Sequence, residues 1–229
     1  MRLLLLLSLL VNVALLAAGY FAVQRLGGWT YLQYRFAQRG LTAHYAMRAQ
    51  QFETLPVKTG GTVVLGNSLI EQGLWSEWLG RPVRNRGIAG DHVEALLVRL
   101  ETVEELAPDT LFVLIGVNDL LFHPTEHVLE LYESLQYRLE TNFPDTKMYW
   151  LSVLPVNNTV RDTQIDNAAI ESVNTILRDR LVDSRITYID AHTALLDTDQ
   201  RLDASYTDDG IHLNGAGYRV LAGLLKSVE

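Results

Sequence analysis

Five short apolar runs recur between residues 62 and 189, and each pair is separated by turns or by a segment of helical periodicity. The runs are Thr62–Gly66, Val83–Asn85, Leu111–Ile115, Lys147–Val153 and Ile186–Ile189. The helical segments are Val93–Leu106, Glu126–Asn142 and Ile165–Val182, and Ala216–Ser227 fits a last helix. Strands that alternate with helices cannot be joined as hairpins. They need right-handed crossovers, which build a parallel sheet covered by helices on both faces. In such sheets functional residues collect beyond the carboxyl ends of the strands. A motif that carries chemistry is therefore expected directly after a strand.

The first residues read differently. From Leu3 to Val23 run 21 residues without a charge. As a helix rising about 1.5 Å per residue, this run spans roughly 30 Å, the thickness of a bilayer core. It lacks the polar stripe of a buried surface helix. Ala17, Ala18 and Gly19 could form a signal-peptidase site, but the apolar run continues through Tyr20, Phe21, Ala22 and Val23. An uncleaved signal anchor over residues 1–26 is the expectation, with a cleaved, secreted form as the alternative. A basic helical neck and linker is expected over 27–60 and a globular domain over 61–229. Arg25, Arg35 and Arg39 follow the span, and a positive-inside count would keep the body in the cytoplasm. The short basic start and Leu-rich run instead favour export, with the body on the extracytoplasmic (periplasmic) side of a bacterial membrane.

Of the 229 residues, 48% are hydrophobic, enough for one well-buried domain. With no cysteine there is no disulfide, thiolate nucleophile or zinc-thiolate site. Residues 61–229 carry 13 basic and 26 acidic groups, which argues against nucleic acid as a partner. No histidine spacing matches a zinc signature, and no metal or cofactor is expected.

Four motifs fall at the predicted strand ends. The first strand runs into Gly66-Asn67-Ser68-Leu69, where Ser68 reads as a helix cap or as a hydroxyl facing the crevice. The α/β-hydrolase elbow is excluded, because Ile70 stands where that pattern needs glycine. The second strand leads into Asn85-Arg86-Gly87-Ile88-Ala89-Gly90-Asp91, a turn whose N–H groups can face an anion. Its spacing is not the dinucleotide fingerprint, and there is no Walker lysine. The third strand ends in Gly116-Val117-Asn118-Asp119, where an asparagine amide can meet a developing oxyanion or satisfy its own turn. Asp208-Asp209-Gly210-Ile211-His212-Leu213-Asn214 precedes the last helix, and a carboxylate three residues before a histidine can hold one imidazole nitrogen. Asp190 with His192, and His123, are the other candidates. Taken together, a serine, a glycine N–H, an asparagine amide and an Asp–His pair are the components of acyl transfer.

The blocks V-V-L-G-N-S-L, N-R-G-I-A-G-D, I-G-V-N-D-L, S-V-L-P-V-N and D-G-I-H-L-N-G-A-G-Y occur in that order over about residues 60–229. In this the chain resembles the SGNH (GDSL) hydrolases, most closely the branch of platelet-activating-factor acetylhydrolase-type esterases. The resemblance implies a flavodoxin-like, three-layer α/β/α sandwich around a five-stranded parallel sheet. It implies Ser68 as nucleophile, His212 as general base and Asp209 as its partner. Gly90, Asn118 and the Ser68 N–H would form the oxyanion hole. Asn67 departs from the family's usual aspartate. The implied activity is hydrolysis of short-chain acyl esters, chiefly acetyl, on a carbohydrate or small alcohol. Alternatives are a lysophospholipase or thioesterase, an O-acyltransferase to a polysaccharide, and an inactive carbohydrate-binding module. Trp75, Trp78, Leu120, Leu121 and Phe122 follow the motifs and are placed either in an acyl pocket or in the core.

Overall fold

A computed structural model describes residues 8, 12, 15–17, 19–21 and 43–228. The chain divides after Ala46 into two compact units. In the first, the described residues between 8 and 21 are helical and exposed. Most of the proposed anchor, residues 1–26, and the neck up to residue 42 lie outside the described residues. Among the described residues no helix is long and apolar enough to cross a membrane.

The second unit holds the sheet. Its strands are β1 (Thr62–Gly66), β2 (Val83–Gly87), β3 (Thr110–Leu114), β4 (Lys147–Leu151) and β5 (Ile186–Ile189). All neighbours are parallel, in the order β2-β1-β3-β4-β5. The helices are α1 (residues 43–54), α2 (Ser68–Glu71), α3 (Trp75–Leu79), α4 (Val93–Arg99), α5 (Glu101–Glu104), α6 (Thr125–Asn142), α7 (Asn167–Leu181) and α8 (Gly215–Ser227). α4, α6 and α7 pack in sequence against one another, and α3 packs on α8. The result is the three-layer α/β arrangement with a five-stranded parallel sheet. Every residue of β1 is buried, as a strand covered on both faces requires.

Differences from expectation have local causes. The predicted helix Val93–Leu106 breaks at Leu100 into α4 and α5. The helix expected from Ile165 starts at Asn167, because the Asp166 carboxylate caps it by accepting from the Ala168 N–H at 2.9 Å. Residues 47–60, read from composition as neck and linker, fall within the second compact unit, where Phe52 is 7% exposed.

From β1 the chain moves first to β2 on one side, then to β3, β4 and β5 on the other. The strand order therefore reverses between β1 and β3, and a crevice opens at their carboxyl ends. Gly66 of β1 is level with Gly87 of β2 and Leu114 of β3. Three of the four motifs thus leave the sheet side by side.

Candidate active site

Ser68 opens α2 immediately beyond β1. A Cβ at Gly66 would fall on the Leu114 carbonyl oxygen, so only glycine lets β1 run this close to β3 before turning. Asn67 caps the helix, its Oδ1 accepting from the Leu69 N–H at 3.0 Å. Asparagine thus supplies the acceptor that aspartate would supply, while its buried Nδ2 is left without a partner. Tyr218 of α8 donates to the Leu69 carbonyl at 2.8 Å and ties the last helix to the serine turn.

His212 and Asp209 reach Ser68 from the loop before α8. His212 Nε2 lies 3.0 Å from Ser68 Oγ, and Nδ1 lies 2.7 Å from Asp209 Oδ2. Asp209 Oδ1 also accepts from the backbone N–H of His212 at 2.8 Å and of Ile211 at 2.9 Å. Buried Thr207 holds this loop, its Oγ1 accepting from Gly210 N–H at 2.9 Å and Asp209 N–H at 3.3 Å. Burial pushes the Asp209 carboxyl up, but the bonds from the His212 ring and the two backbone amides outweigh it and hold it down at about 2. Asp209 is therefore a carboxylate at any working pH. It can fix the proton on Nδ1 and leave Nε2 free to take one from the Ser68 hydroxyl.

Asn118 leaves β3 through Gly116, whose φ is +122° and whose Cβ, if present, would meet the Tyr132 hydroxyl. That hydroxyl donates to the Ile115 carbonyl at 2.7 Å and fixes the approach of the loop. The Asn118 amide donates to the Asp91 carbonyl at 2.9 Å, directly after Gly90. Asp119, 1% exposed, accepts from the Val93 N–H at 3.1 Å, so the two loops are joined twice. Burial raises the Asp119 carboxyl to about 7, against the hydrogen bond from Val93.

The alternative histidines lie elsewhere. The His192 N–H donates to Ser152 Oγ at 2.7 Å, and Asp190 accepts from the Thr193 N–H. Both line a polar cleft of about 370 Å³ beside β5 with Glu171, Arg178 and Tyr188. His123 pairs with the His127 ring, centroids 4.8 Å apart. Asp208 is exposed. Among the described residues no three His, Cys, Asp or Glu side chains are grouped to hold a metal ion.

The aromatic and apolar candidates divide. Trp75 is core: it is 2% exposed, donates to the Ile70 carbonyl at 2.8 Å and meets Tyr218 edge-on. Trp78, Leu120 and Leu121 pack partly buried against the same core. Phe122 is 37% exposed and stands edge-on to His92, at 5.9 Å.

Sequence reading missed Arg99 and Asp91. Arg99 Nε and Nη2 donate to Asp91 Oδ2 at 2.8 and 2.6 Å, and Nη2 also donates to the Gly66 carbonyl at 3.1 Å. The pair lies eight positions apart in the chain, and nothing in a helical pattern shows that α4 turns its arginine back to the loop that begins it.

Comparison with known proteins agrees with the fold. The sequence model of the GDSL-like lipase/acylhydrolase family matches residues 64–220. A Streptococcus pneumoniae protein, provisionally described as a platelet activating factor, has a similar structure. Its TM-score is 0.76 at 24% identity, over 86% of this chain and 98% of that one. A GDSL-like lipase from Bacteroides thetaiotaomicron gives 0.70 at 23% identity, over 81% and 97%. The acetyl xylan esterase AlAXEase gives 0.63 at 19%, over 73% and 98%. An N-acylneuraminate cytidylyltransferase of Escherichia coli O18:K1:H7 is 29% identical over 152 residues, which are 64% of this chain but 35% of that protein.

Proposed function

The chain belongs to the GDSL-like lipase/acylhydrolase family, and on that premise we propose that it is a serine esterase for short-chain acyl groups, chiefly acetyl, on a carbohydrate or small alcohol. Ser68, His212 and Asp209 act as the triad, with Gly90, Asn118 and the Ser68 N–H as the oxyanion hole. The observation that carries this reading is the unbroken chain from Ser68 Oγ to His212 Nε2 and from Nδ1 to Asp209.

In the first half-reaction the Ser68 proton passes to His212 Nε2 as Oγ bonds to the ester carbonyl carbon. The carbonyl oxygen becomes an oxyanion, which the Gly90 and Ser68 N–H groups and the Asn118 amide stabilise. The C–O bond to the alcohol then breaks, and Nε2 returns the proton to the leaving oxygen. In the second half, Nε2 takes a proton from water as it attacks the acyl-enzyme, and Ser68 departs with that proton restored. The imidazolium is charged only transiently, facing the Asp209 carboxylate throughout.

One of the similar proteins, named for acetyl xylan, supports a sugar-borne acetyl ester as the substrate class. The uncharged run Leu3–Val23 supports a membrane tether, and the short basic start with its Leu-rich run supports placing the esterase domain on the extracytoplasmic side. The test is a series of p-nitrophenyl esters from acetate to dodecanoate, with acetylated sugars alongside and a glycan acceptor added in parallel. The proposal expects the highest kcat/KM on acetate and free acetate as product with or without acceptor. Preference for long chains, or acyl transfer to the glycan, contradicts it.

A further inference from the structure

The loop that would supply the Gly90 donor is held from behind by one buried guanidinium. Arg99 is 5% exposed and Asp91 not at all. The Asp91 carboxylate accepts from Arg99 through Oδ2 and from the His92 N–H through Oδ1 at 3.1 Å. The Asp91 carbonyl accepts the Asn118 amide. One residue therefore fixes the peptide after Gly90 and the side chain of Asn118 together. The same Arg99 Nη2 reaches the Gly66 carbonyl, two residues before Ser68, and that carbonyl also accepts the Ile88 N–H at 3.0 Å.

A buried ion pair adds little net stability over well-packed apolar residues, because two charges must be desolvated. Burial in fact raises the Asp91 carboxyl to about 6 against the pull of Arg99. What the pair supplies is geometry. A planar fork can bind a carboxylate and a carbonyl at once with fixed angles, which an ammonium on a flexible stem cannot. Phe52 of α1 lies against this fork, its ring centroid 5.9 Å from the Arg99 guanidinium carbon and 4.7 Å from that of Arg86. A second brace runs alongside: Arg48 of α1 pairs with Glu71 at 2.9 Å, and Glu71 Oε2 accepts the Ala89 N–H at 2.6 Å.

We infer that Arg99 is a positioning residue of the reaction. Through Asp91 and Gly66 it sets Gly90 and Asn118 in register with Ser68, without touching substrate itself. This rests on the esterase reading above. Misplacing a catalytic group by about 1 Å from a distance costs roughly 10²-fold. A displaced oxyanion donor costs transition-state binding more than substrate binding, so kcat falls while KM holds.

The test is Arg99→Lys in the full chain. It keeps the charge beside Asp91 and removes the fork. The readouts are kcat and KM on p-nitrophenyl acetate, the thermal midpoint, and the affinity for an alkyl boronic acid, whose tetrahedral adduct fills the oxyanion position. The expected result is a roughly 10- to 100-fold fall in kcat, KM within about threefold, and boronate affinity weakened in parallel. The fall shrinks when Asn118→Ala is already present, because both changes act on one oxyanion site. If Arg99→Lys does not fold, the neutral pair Asp91→Asn/Arg99→Gln is read by the same measurements. Native kcat and boronate affinity in a variant that only melts earlier overturn the positioning role, as does full additivity with Asn118→Ala. A wild-type protein that neither turns over esters nor binds the boronate overturns the esterase reading itself, and is distinguished by that control.

Discussion

Replacing Asp209 by asparagine exchanges one oxygen for an NH₂ at nearly constant volume, and so isolates what the carboxylate does for His212. Oδ1 is claimed by the backbone N–H groups of His212 and Ile211 at 2.8 and 2.9 Å, so the asparagine carbonyl stays on them. The NH₂ then takes the place of Oδ2, 2.7 Å from His212 Nδ1. It can only donate, so Nδ1 becomes an acceptor and the ring proton moves to Nε2. Nε2–H now faces Ser68 Oγ and cannot accept its proton. In a serine protease the same exchange costs about 10⁴ in kcat. Here the Asp209 and His212 side chains are 36% and 32% exposed, so water shares in stabilising the imidazolium. The expected loss is therefore nearer 10³, roughly 4 kcal/mol of transition-state stabilisation. Asp209→Ala, which leaves room for water and for either tautomer, loses less than Asp209→Asn. The assay is steady-state hydrolysis of p-nitrophenyl acetate near neutral pH, with unfolding measured alongside. An asparagine variant within about tenfold of the native rate, folded and with unchanged KM, refutes the tautomer argument.

Three further outcomes follow from the same geometry. Asn118→Ala removes one donor and is expected to lower kcat by roughly 10²–10³ with little change in KM; a pure KM effect would place the amide on the ground state. Asp119 has its carboxyl raised by burial from the ordinary 3.8 to about 7, so the native state holds its proton more tightly than the unfolded chain does. Its contribution is fully present below about pH 4 and is lost as pH rises through about 7, a change on the order of 4 kcal/mol at most. In Asp119→Asn the difference in thermal midpoint between pH 5 and pH 8 shrinks by several degrees, and an unchanged difference contradicts the assignment. Asn67→Ala deletes the cap on α2 and is expected to cost about 1 kcal/mol, or roughly 2–4 °C, in thermal unfolding; no shift would mean the cap is not what holds the Ser68 turn.

Periodicity placed all five strands to within a few residues, most plainly β1, β3 and β4, where burial on both faces leaves mostly apolar side chains. It also put three motifs at strand ends, since parallel topology follows from the helices between them; the strand order that makes those three ends neighbours came from the structure. The family resemblance singled out Asp209 rather than Asp208 as the partner of His212. What composition concealed was pairing. Arg48 counts toward a basic neck in the sequence, yet its charge is matched by Glu71, 23 positions later. Phe52 looks like an isolated aromatic in a polar segment and is buried against three guanidinium groups. Trp75, two residues past a glycine, turns into the core because the Ile70 carbonyl accepts its indole N–H. Each of these depends on how elements distant in the chain face one another, which no local pattern encodes.

Catalysis here depends on His212 activating Ser68. Incubation of the folded full chain with a fluorophosphonate, followed by intact mass and peptide mapping, tests it most directly. One adduct is expected, on the peptide holding Ser68, absent in Ser68→Ala and slowed strongly in Asp209→Asn. A folded native protein that does not label, or that labels at another residue, contradicts it.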